Sequence, residues 1–166
     1  MWTISAVGDA IAMVLLEARG FRKEDYAKLH PGGAIGRTLL LRVSDIMRTG
    51  ERVAVVTGNS TVRDAIFAMT KARSGSAAVV SSGNKLAGIV TDGDLRRHMT
   101  TDRDLISRKV EKIMTRSPVT VGHDQLAIHV LRLFEEKNID DVLVVDSRKR
   151  LVGAIDIQDL PKLKIL

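Results

Sequence analysis

Thr91 and Asp94 are the side chains whose types and spacing best suit binding of a small polar ligand. They follow a β-rich run, residues 86–90, at the point where a helix is expected to begin. A carboxylate accepts hydrogen bonds from sugar hydroxyls, a hydroxyl donates to a phosphate, and the free N–H groups of a helix N-terminus favour an anion. The same residues also fit a simpler role, in which Thr91 or Asp92 caps the helix and Asp94 favours its dipole. On these residues alone, both interpretations stay open.

Arginines follow this pair. Arg97 and Arg116 are candidates for bidentate pairing with a phosphate or a carboxylate. An ordinary exposed surface with a basic bias explains them equally well. His98, His123 and His129 have no metal-ligand spacing with a carboxylate cluster, so we predict no metal site.

An internal repeat organises the rest of the chain. Residues 43–47, Val-Ser-Asp-Ile-Met, return as Val-Glu-Lys-Ile-Met at 110–114, and Gly-Ile-Val-Thr-Asp-Gly-Asp-Leu at 88–95 returns at 153–160. Both copies predict the order β-α-β-β-α, an α/β (α+β) architecture. A unit of about 60 residues has a marginal core, so the two repeats should pack as a pseudo-twofold pair.

Each predicted element can be placed on the sequence. Ser60 and Asp124 are the expected N-caps of the first helix in each repeat, and a second helix is expected near Asp92 or Gln158. The predicted strands of the first repeat are 53–56, 77–80 and 86–90, and those of the second are 119–121, 142–145 and 151–155.

The repeat places a second candidate site at positions 156 and 159, which correspond to Thr91 and Asp94. Asp156 replaces Thr91 in the second copy, and its carboxylate would repel a phosphate, whereas Asp159 matches Asp94. We therefore expect one occupied site, around Thr91 and Asp94. Met47 and Met114 end the leading segments and are expected to face the cleft between the repeats, where methionine serves as packing or as a ligand contact.

The first 41 residues do not repeat. Residues 4–19 predict a helix with Gly20 at its C-terminal end, and residues 23–30 predict a second, stopped by Pro31-Gly32-Gly33. These elements cannot form a core alone, so the segment looks like the end of a larger domain.

The amino-acid composition excludes several classes of protein. The chain has 166 residues, no cysteine and a net charge of +6, which excludes disulfide scaffolds and zinc sites built on thiolates. It has no apolar run long enough for a membrane span and no signal-peptide pattern, so a cytoplasmic location is expected. The positive charge invites a nucleic-acid hypothesis, but aromatic residues make up only 3%, too few for base stacking, and we expect no nucleic-acid partner.

Residues 42–166 resemble a tandem cystathionine-β-synthase (CBS) domain pair, on the two repeated motifs above, with repeats at 42–101 and 102–166. The resemblance implies nucleotide binding, because Thr91 and Asp94 match the nucleotide signature of such pairs. Arg97, Met47, Met114 and Arg116 are then expected to complete the ligand site. CBS pairs also associate into dimers, so the alternative is a structural pair that holds subunits together without a ligand.

Residues 1–41, with His-Pro-Gly-Gly at 30–33, resemble the tail of a sugar isomerase (SIS) domain. Joined to a CBS pair, this tail is similar to bacterial D-arabinose-5-phosphate isomerases. The resemblance implies interconversion of ribulose 5-phosphate and arabinose 5-phosphate for lipopolysaccharide Kdo synthesis, with His30 in the active site, no required cofactor, and dimers or tetramers of the full-length protein. The other catalytic residues would lie upstream, so these 166 residues are expected to be inactive. The implied regulatory ligands are CMP-Kdo, AMP or ATP.

Overall fold

The computed structural model describes residues 2–21, 25 and 41–160. The chain divides into two units, Met1–Leu41 and Arg42–Leu166. In the first, helix α1 spans Trp2–Ala18. As predicted, Gly20 ends it with a left-handed φ of +59°, and the Phe21 N–H bonds the Leu16 carbonyl, a Schellman-type ending. The predicted helix at 23–30 and the break at 31–33 lie outside the described residues.

In the second unit, the described residues 42–160 form seven short strands in two sheets. The first sheet has the order β1-β2-β3-β4 and the second the order β5-β6-β7. In each, the first pair is parallel and the next is antiparallel, as the β-α-β-β order predicts. The strands are β1 (Val55–Thr57), β2 (Ser76–Ser81), β3 (Lys85–Thr91), β4 (Thr115–Arg116), β5 (Thr120–Gly122), β6 (Asp141–Val145) and β7 (Leu151–Asp156).

The two longest helices of this unit each bury an apolar face. Val62, Ala65 and Met69 are buried on α3, and Val130 and Phe134 on α5. The helices are α2 (Val43–Ile46), α3 (Val62–Ala72), α4 (Asp92–Met99) and α5 (Ala127–Lys137). Where the second repeat was expected to begin its last helix, the structure has a 3-10 turn, Ile157–Asp159, and the residues after 160 are not described.

The leading segment of each repeat crosses to the other repeat. The Val43 N–H donates to the Gln125 carbonyl at 2.8 Å, and the Val110 N–H donates to the Ser60 carbonyl at 2.9 Å. Farther along, β4 pairs with β3, and Arg48 forms the equivalent bridge with Ala154 of β7. The two repeats are therefore interleaved and not merely adjacent.

This crossing explains two wrong N-cap predictions. Thr61, not Ser60, caps α3, and Leu126 precedes α5 without any side-chain cap, so Asp124 does not cap it. Thr61 bridges Lys109 and Leu126 bridges Arg42. Pairing with the crossing segments holds the chain extended up to these residues, so each helix starts later than its first capping side chain indicated.

The core follows the same interleaving. Leu105, Val110 and Ile113 belong to the connection and leading segment of the second repeat, yet they pack with the first-repeat helix α3 and strand β2. A second buried cluster joins the two sheets and contains Ala78, Ile89, Leu143, Leu151 and Ala154. Residues of both repeats therefore contribute to each of these clusters, as the small size of a single repeat requires.

Candidate functional site

A cavity of about 970 Å³ lies where α4 begins. Its walls come from both repeats: Thr91, Asp94 and Arg97 on one side, and residues 117–119 and 138–141 on the other. Its volume falls within the usual range for small-molecule sites, roughly 300–1,000 Å³. The crossing segments therefore create a space that neither repeat could form alone.

Thr91 and Asp94 form a reciprocal helix cap at this cavity. The Thr91 N–H and hydroxyl donate to Asp94 Oδ2 at 3.0 and 2.9 Å, and the Asp94 N–H donates back to Thr91 Oγ1 at 3.2 Å. The capping interpretation is thus realised, with Thr91 and not Asp92 as the cap. Capping also holds the two side chains rigidly at the cavity wall, which a ligand site requires.

Arg97 lies one turn further along α4. Its Nη1 donates to Asp94 Oδ1 at 2.9 Å, and its side chain is 72% exposed, whereas that of Asp94 is 9% exposed. Only the arginine end of this ion pair is exposed, and solvent screening at that end reduces its contribution to stability. The guanidinium can turn toward an anion in the cavity while Thr91 keeps its hydrogen bonds to the buried Asp94 carboxylate.

Asp141, on the opposite wall, was not among the predicted site residues. Burial raises its pKa to about 6; nearby Asp156 and Asp140 add to this, while a hydrogen bond from Ser76 and the charge of Arg48 oppose it. A Cβ on Gly75 would lie 3.7 Å from an oxygen of both Asp141 and Asp92. The carboxylates of Asp92 and Asp141 therefore both lie next to Gly75. This end of the cavity can accept hydrogen bonds from a ligand.

Replacing Asp141 with asparagine should stabilise the protein at neutral pH. The folded pKa of about 6 exceeds the unfolded value, so the wild type loses stability as the pH rises from about 4 to 6. The loss is about 2 kcal/mol, because partial exposure reduces what the full shift implies. Urea unfolding at pH 4.5, 6.0 and 7.5 should show D141N gaining on the wild type as the pH rises. A difference independent of pH would contradict the assignment.

The remaining predicted site residues lie elsewhere. Met47 and Met114 pack against Gly153 and Gly88 of the opposite repeats. Met114 and Arg116 also line a second cavity of about 490 Å³, and neither they nor Met47 line the larger one. His30 lies outside the described residues. In the part of the chain that is described, no three His, Asp or Glu side chains are placed to hold a metal ion, and no helix is long and apolar enough to cross a membrane.

Arg48 of the first repeat lies against Asp156 and Asp159, the residues of the second repeat that correspond to Thr91 and Asp94. Arg48 Nη2 donates to Asp156 Oδ2 at 2.9 Å, and its Nε donates to Asp159 Oδ2. The hydrogen bond to Asp159 is the main reason that the pKa of Arg48 is raised. This contact was not predictable from local sequence, because 108 residues separate Arg48 from Asp156. The available signal was the change of two aligned repeat positions together, with Arg48 in place of Thr115 and Asp156 in place of Thr91.

Comparison with known proteins agrees with this architecture. A profile described as the CBS domain matches residues 43–107 and 110–163. The CBS domain pair of protein MJ0100, solved in complex with 5′-methylthioadenosine and S-adenosyl-L-methionine, superposes with a TM-score of 0.66 at 27% identity, over 74% of this chain and 94% of that one.

Two curated relatives are arabinose 5-phosphate isomerases named KdsD. The Yersinia pestis protein is 42% identical and the Pseudomonas aeruginosa protein 43% identical, each over 154 residues, which is 93% of this chain and 47% of the relative. The chain thus spans about half the length of these relatives. With both repeats matched by the family profile and the paired fold in place, the chain belongs to the CBS domain family.

Proposed function

We propose that residues 42–160 bind a nucleotide or nucleotide sugar in the 970 Å³ cavity and thereby regulate an arabinose 5-phosphate isomerase. The observation that carries the proposal is the buried Asp94 carboxylate, held by Thr91 at the wall of a cavity of ligand size. The names of the curated relatives support the isomerase, and the two adenosine compounds bound by the MJ0100 pair support the ligand class.

The cavity is lined by charges of both signs. Arg73, Arg96 and Arg97 supply cations for a phosphate or a sugar carboxylate, and five aspartates, at positions 92, 94, 140, 141 and 156, supply hydrogen-bond acceptors. Asp94 accepts hydrogen bonds from ribose hydroxyls, and Asp141 accepts from the amino group of a base. CMP-Kdo, a product of the proposed pathway, combines all these groups, and AMP and ATP contain the ribose, the phosphate and an amino-bearing base.

The isomerase activity itself is proposed for the full-length protein. The reaction needs a base that removes a proton beside a carbonyl, through an enediol, and His30 is our candidate active-site residue by resemblance. We propose that the 166-residue chain is inactive alone, that the reaction requires no cofactor, and that the full-length protein is a cytoplasmic homo-oligomer.

Calorimetric titration of the 166-residue chain with CMP-Kdo, AMP and ATP tests the ligand proposal. We expect saturable heat from at least one of them. Asp94→Ala should weaken that binding by about 10- to 100-fold, because hydrogen bonds to a charged group are lost. Absence of heat from all three compounds would reject ligand sensing.

Asp64→Ala is the matched control. Asp64 and Thr61 form the same reciprocal cap at the start of α3, with distances of 2.8, 2.7 and 3.2 Å, but Asp64 lines neither cavity described. Both variants lose a cap, so both should unfold more easily, and only D94A should lose ligand. Equal loss of ligand in the two variants would mean that Asp94 acts only through helix stability.

A structural pair without a ligand is the second candidate function. Two large apolar side chains favour it: Phe67 is 73% exposed on α3 and Met99 is 63% exposed at the end of α4. Apolar groups presented on helices suit contact with a second subunit. Under this hypothesis, Phe67→Asp would lower the sedimentation coefficient of the chain, and Asp94→Ala would change neither assembly nor heat of titration.

A further inference from the structure

The second repeat contains its own version of the Thr91 and Asp94 arrangement. Asp156 and Asp159 occupy the corresponding positions, at the same spacing, with Asp156 as the last residue of β7 and Asp159 in the turn that follows. Both are buried, at 7% and 6% exposure, and Asp156 accepts a hydrogen bond from the Gln158 N–H at 2.9 Å. We name Asp156 and Asp159 the second half-site. It presents two buried carboxylates where the first repeat presents a hydroxyl and one carboxylate.

Arg48 fills the space in front of this half-site. Each of its three guanidinium nitrogens donates to a different acceptor: Nη2 to Asp156, Nε to Asp159, and Nη1 to the Arg73 carbonyl at 3.1 Å. The Arg48 side chain is only 7% exposed. Arg52, which is 65% exposed, adds a contact to Asp159 at 3.2 Å from the rim.

The residue that corresponds to Arg48 in the other repeat is Thr115, so only one of the two sites has an arginine in front of it. Arg48 bridges Ala154 of β7, and Thr115 pairs with Ile89 of β3. Thr115 and Arg48 thus occupy corresponding places. The short Thr115 side chain leaves the Thr91 and Asp94 side open as part of the cavity wall. The long Arg48 side chain instead reaches both carboxylates of the second half-site and occupies their hydrogen-bonding oxygens, although Asp156 also lines the cavity.

We propose that the second half-site is a guanidinium-binding site and that the Arg48 side chain of the same chain occupies it. As a result the CBS pair has one site for an external anionic ligand, not two. The inference that one ligand binds per chain rests on the proposed function. The inference of a guanidinium site does not depend on it. An incoming phosphate would have to displace a cation bonded on three sides and then face two carboxylates, which repel it.

Chemical rescue tests the site without any nucleotide. In Arg48→Ala, added methylguanidinium should enter the vacated space and raise Tm by about 2–4 °C in a saturable way, as a ligand of the folded state does. The same additive should not raise Tm of the wild type. Arg108→Ala, which removes an exposed arginine paired with Asp102, is the matched control and should gain nothing. Equal responses of R48A and R108A would overturn the proposal.

Two further variants guard against poor folding of R48A. Arg48→Ala with Asp156→Asn leaves a single buried carboxylate and should fold better, yet still gain Tm with methylguanidinium. Adding Asp159→Asn should abolish that gain. If the rescue is the same with and without Asp159, the cation does not bind at the second half-site and the proposal is wrong.

The ligand count is tested by converting the second half-site to the pattern of the first. The double variant R48T/D156T places threonine where the first repeat has Thr115 and Thr91. Titration with the compound that binds the wild type should change the stoichiometry from one to two per chain. If methylguanidinium stabilises R48A but R48T/D156T still binds one ligand per chain, the guanidinium site stands. Arg48 is then not the reason that the pair binds one ligand. Absence of all ligand heat with intact rescue would reject only the proposed function.

Discussion

Replacing Arg48 with methionine is expected to lower the free energy of unfolding by about 3 kcal/mol, measured by urea unfolding followed by circular dichroism. Methionine preserves much of the side-chain volume but leaves Asp156 and Asp159 buried without their main cation. Removing one partner of a buried ion pair is strongly destabilising for this reason, typically by about 3–5 kcal/mol. Arg52 stays within reach of Asp159 and places the effect at the lower end.

The triple variant R48M/D156N/D159N separates loss of charge balance from loss of packing. Neutral amides no longer need a cation, so we expect it to regain most of the stability lost in R48M. The amide introduced at position 156 keeps an oxygen that can accept the hydrogen bond from the Gln158 N–H. Methionine at the exposed Arg108 should have a far smaller effect. If R48M and R108M unfold at the same urea concentration, the buried network does not stabilise the fold.

Alanine at Gly153 is the second substitution with a large expected effect. Its Cβ would lie 2.7 Å from the Met47 sulfur and 2.8 Å from the Arg48 carbonyl oxygen. The sulfur can move, but the carbonyl belongs to the bridge that joins the leading segment of the first repeat to β7. We expect a loss of about 2–3 kcal/mol in the free energy of unfolding, typical of overpacking a closed interior.

Gly88 provides an internal replicate and Gly58 a control. A Cβ at Gly88 would meet the Met114 sulfur and the Thr115 carbonyl at 2.8 Å each, so G88A should lose a similar amount in urea unfolding. At Gly58 the nearest atom to a new Cβ is the Glu111 Cβ at 3.5 Å, an ordinary contact. G58A should therefore remain near the wild type. Similar unfolding of all three variants would show that the close approach of the crossing segments is unimportant.

The fold was largely predictable because its signals are local and occur twice. The alternation of strands and helix stripes lies within each repeat, and residues such as Val62 and Met69 indicate a buried face without reference to distant parts of the chain. The crossing of the leading segments was not predictable. It depends on backbone pairs such as Arg42 with Leu126, which no propensity of either residue encodes, and the errors at Ser60 and Asp124 both come from it.

The candidate site was predictable on one wall only. Thr91, Asp94 and Arg97 lie within seven residues of one another in the sequence, so a strand followed by a helix start was enough to group them. Asp141 belongs to β6 in the other repeat and reads in the sequence as an ordinary strand end. Its raised pKa comes from burial in the assembled pair, and burial is a property of the fold and not of the residue type.

The exchange of leading segments also constrains the order in which the chain can fold during synthesis. Val43 and Ser44 bond to the carbonyls of Gln125 and His123, and Arg48 bonds to Ala154 and the two aspartates beyond it. Domains emerging from the ribosome generally fold as units, the N-terminal one first. Here the first repeat lacks its partners until the second has been translated, so the pair completes its structure as one late event.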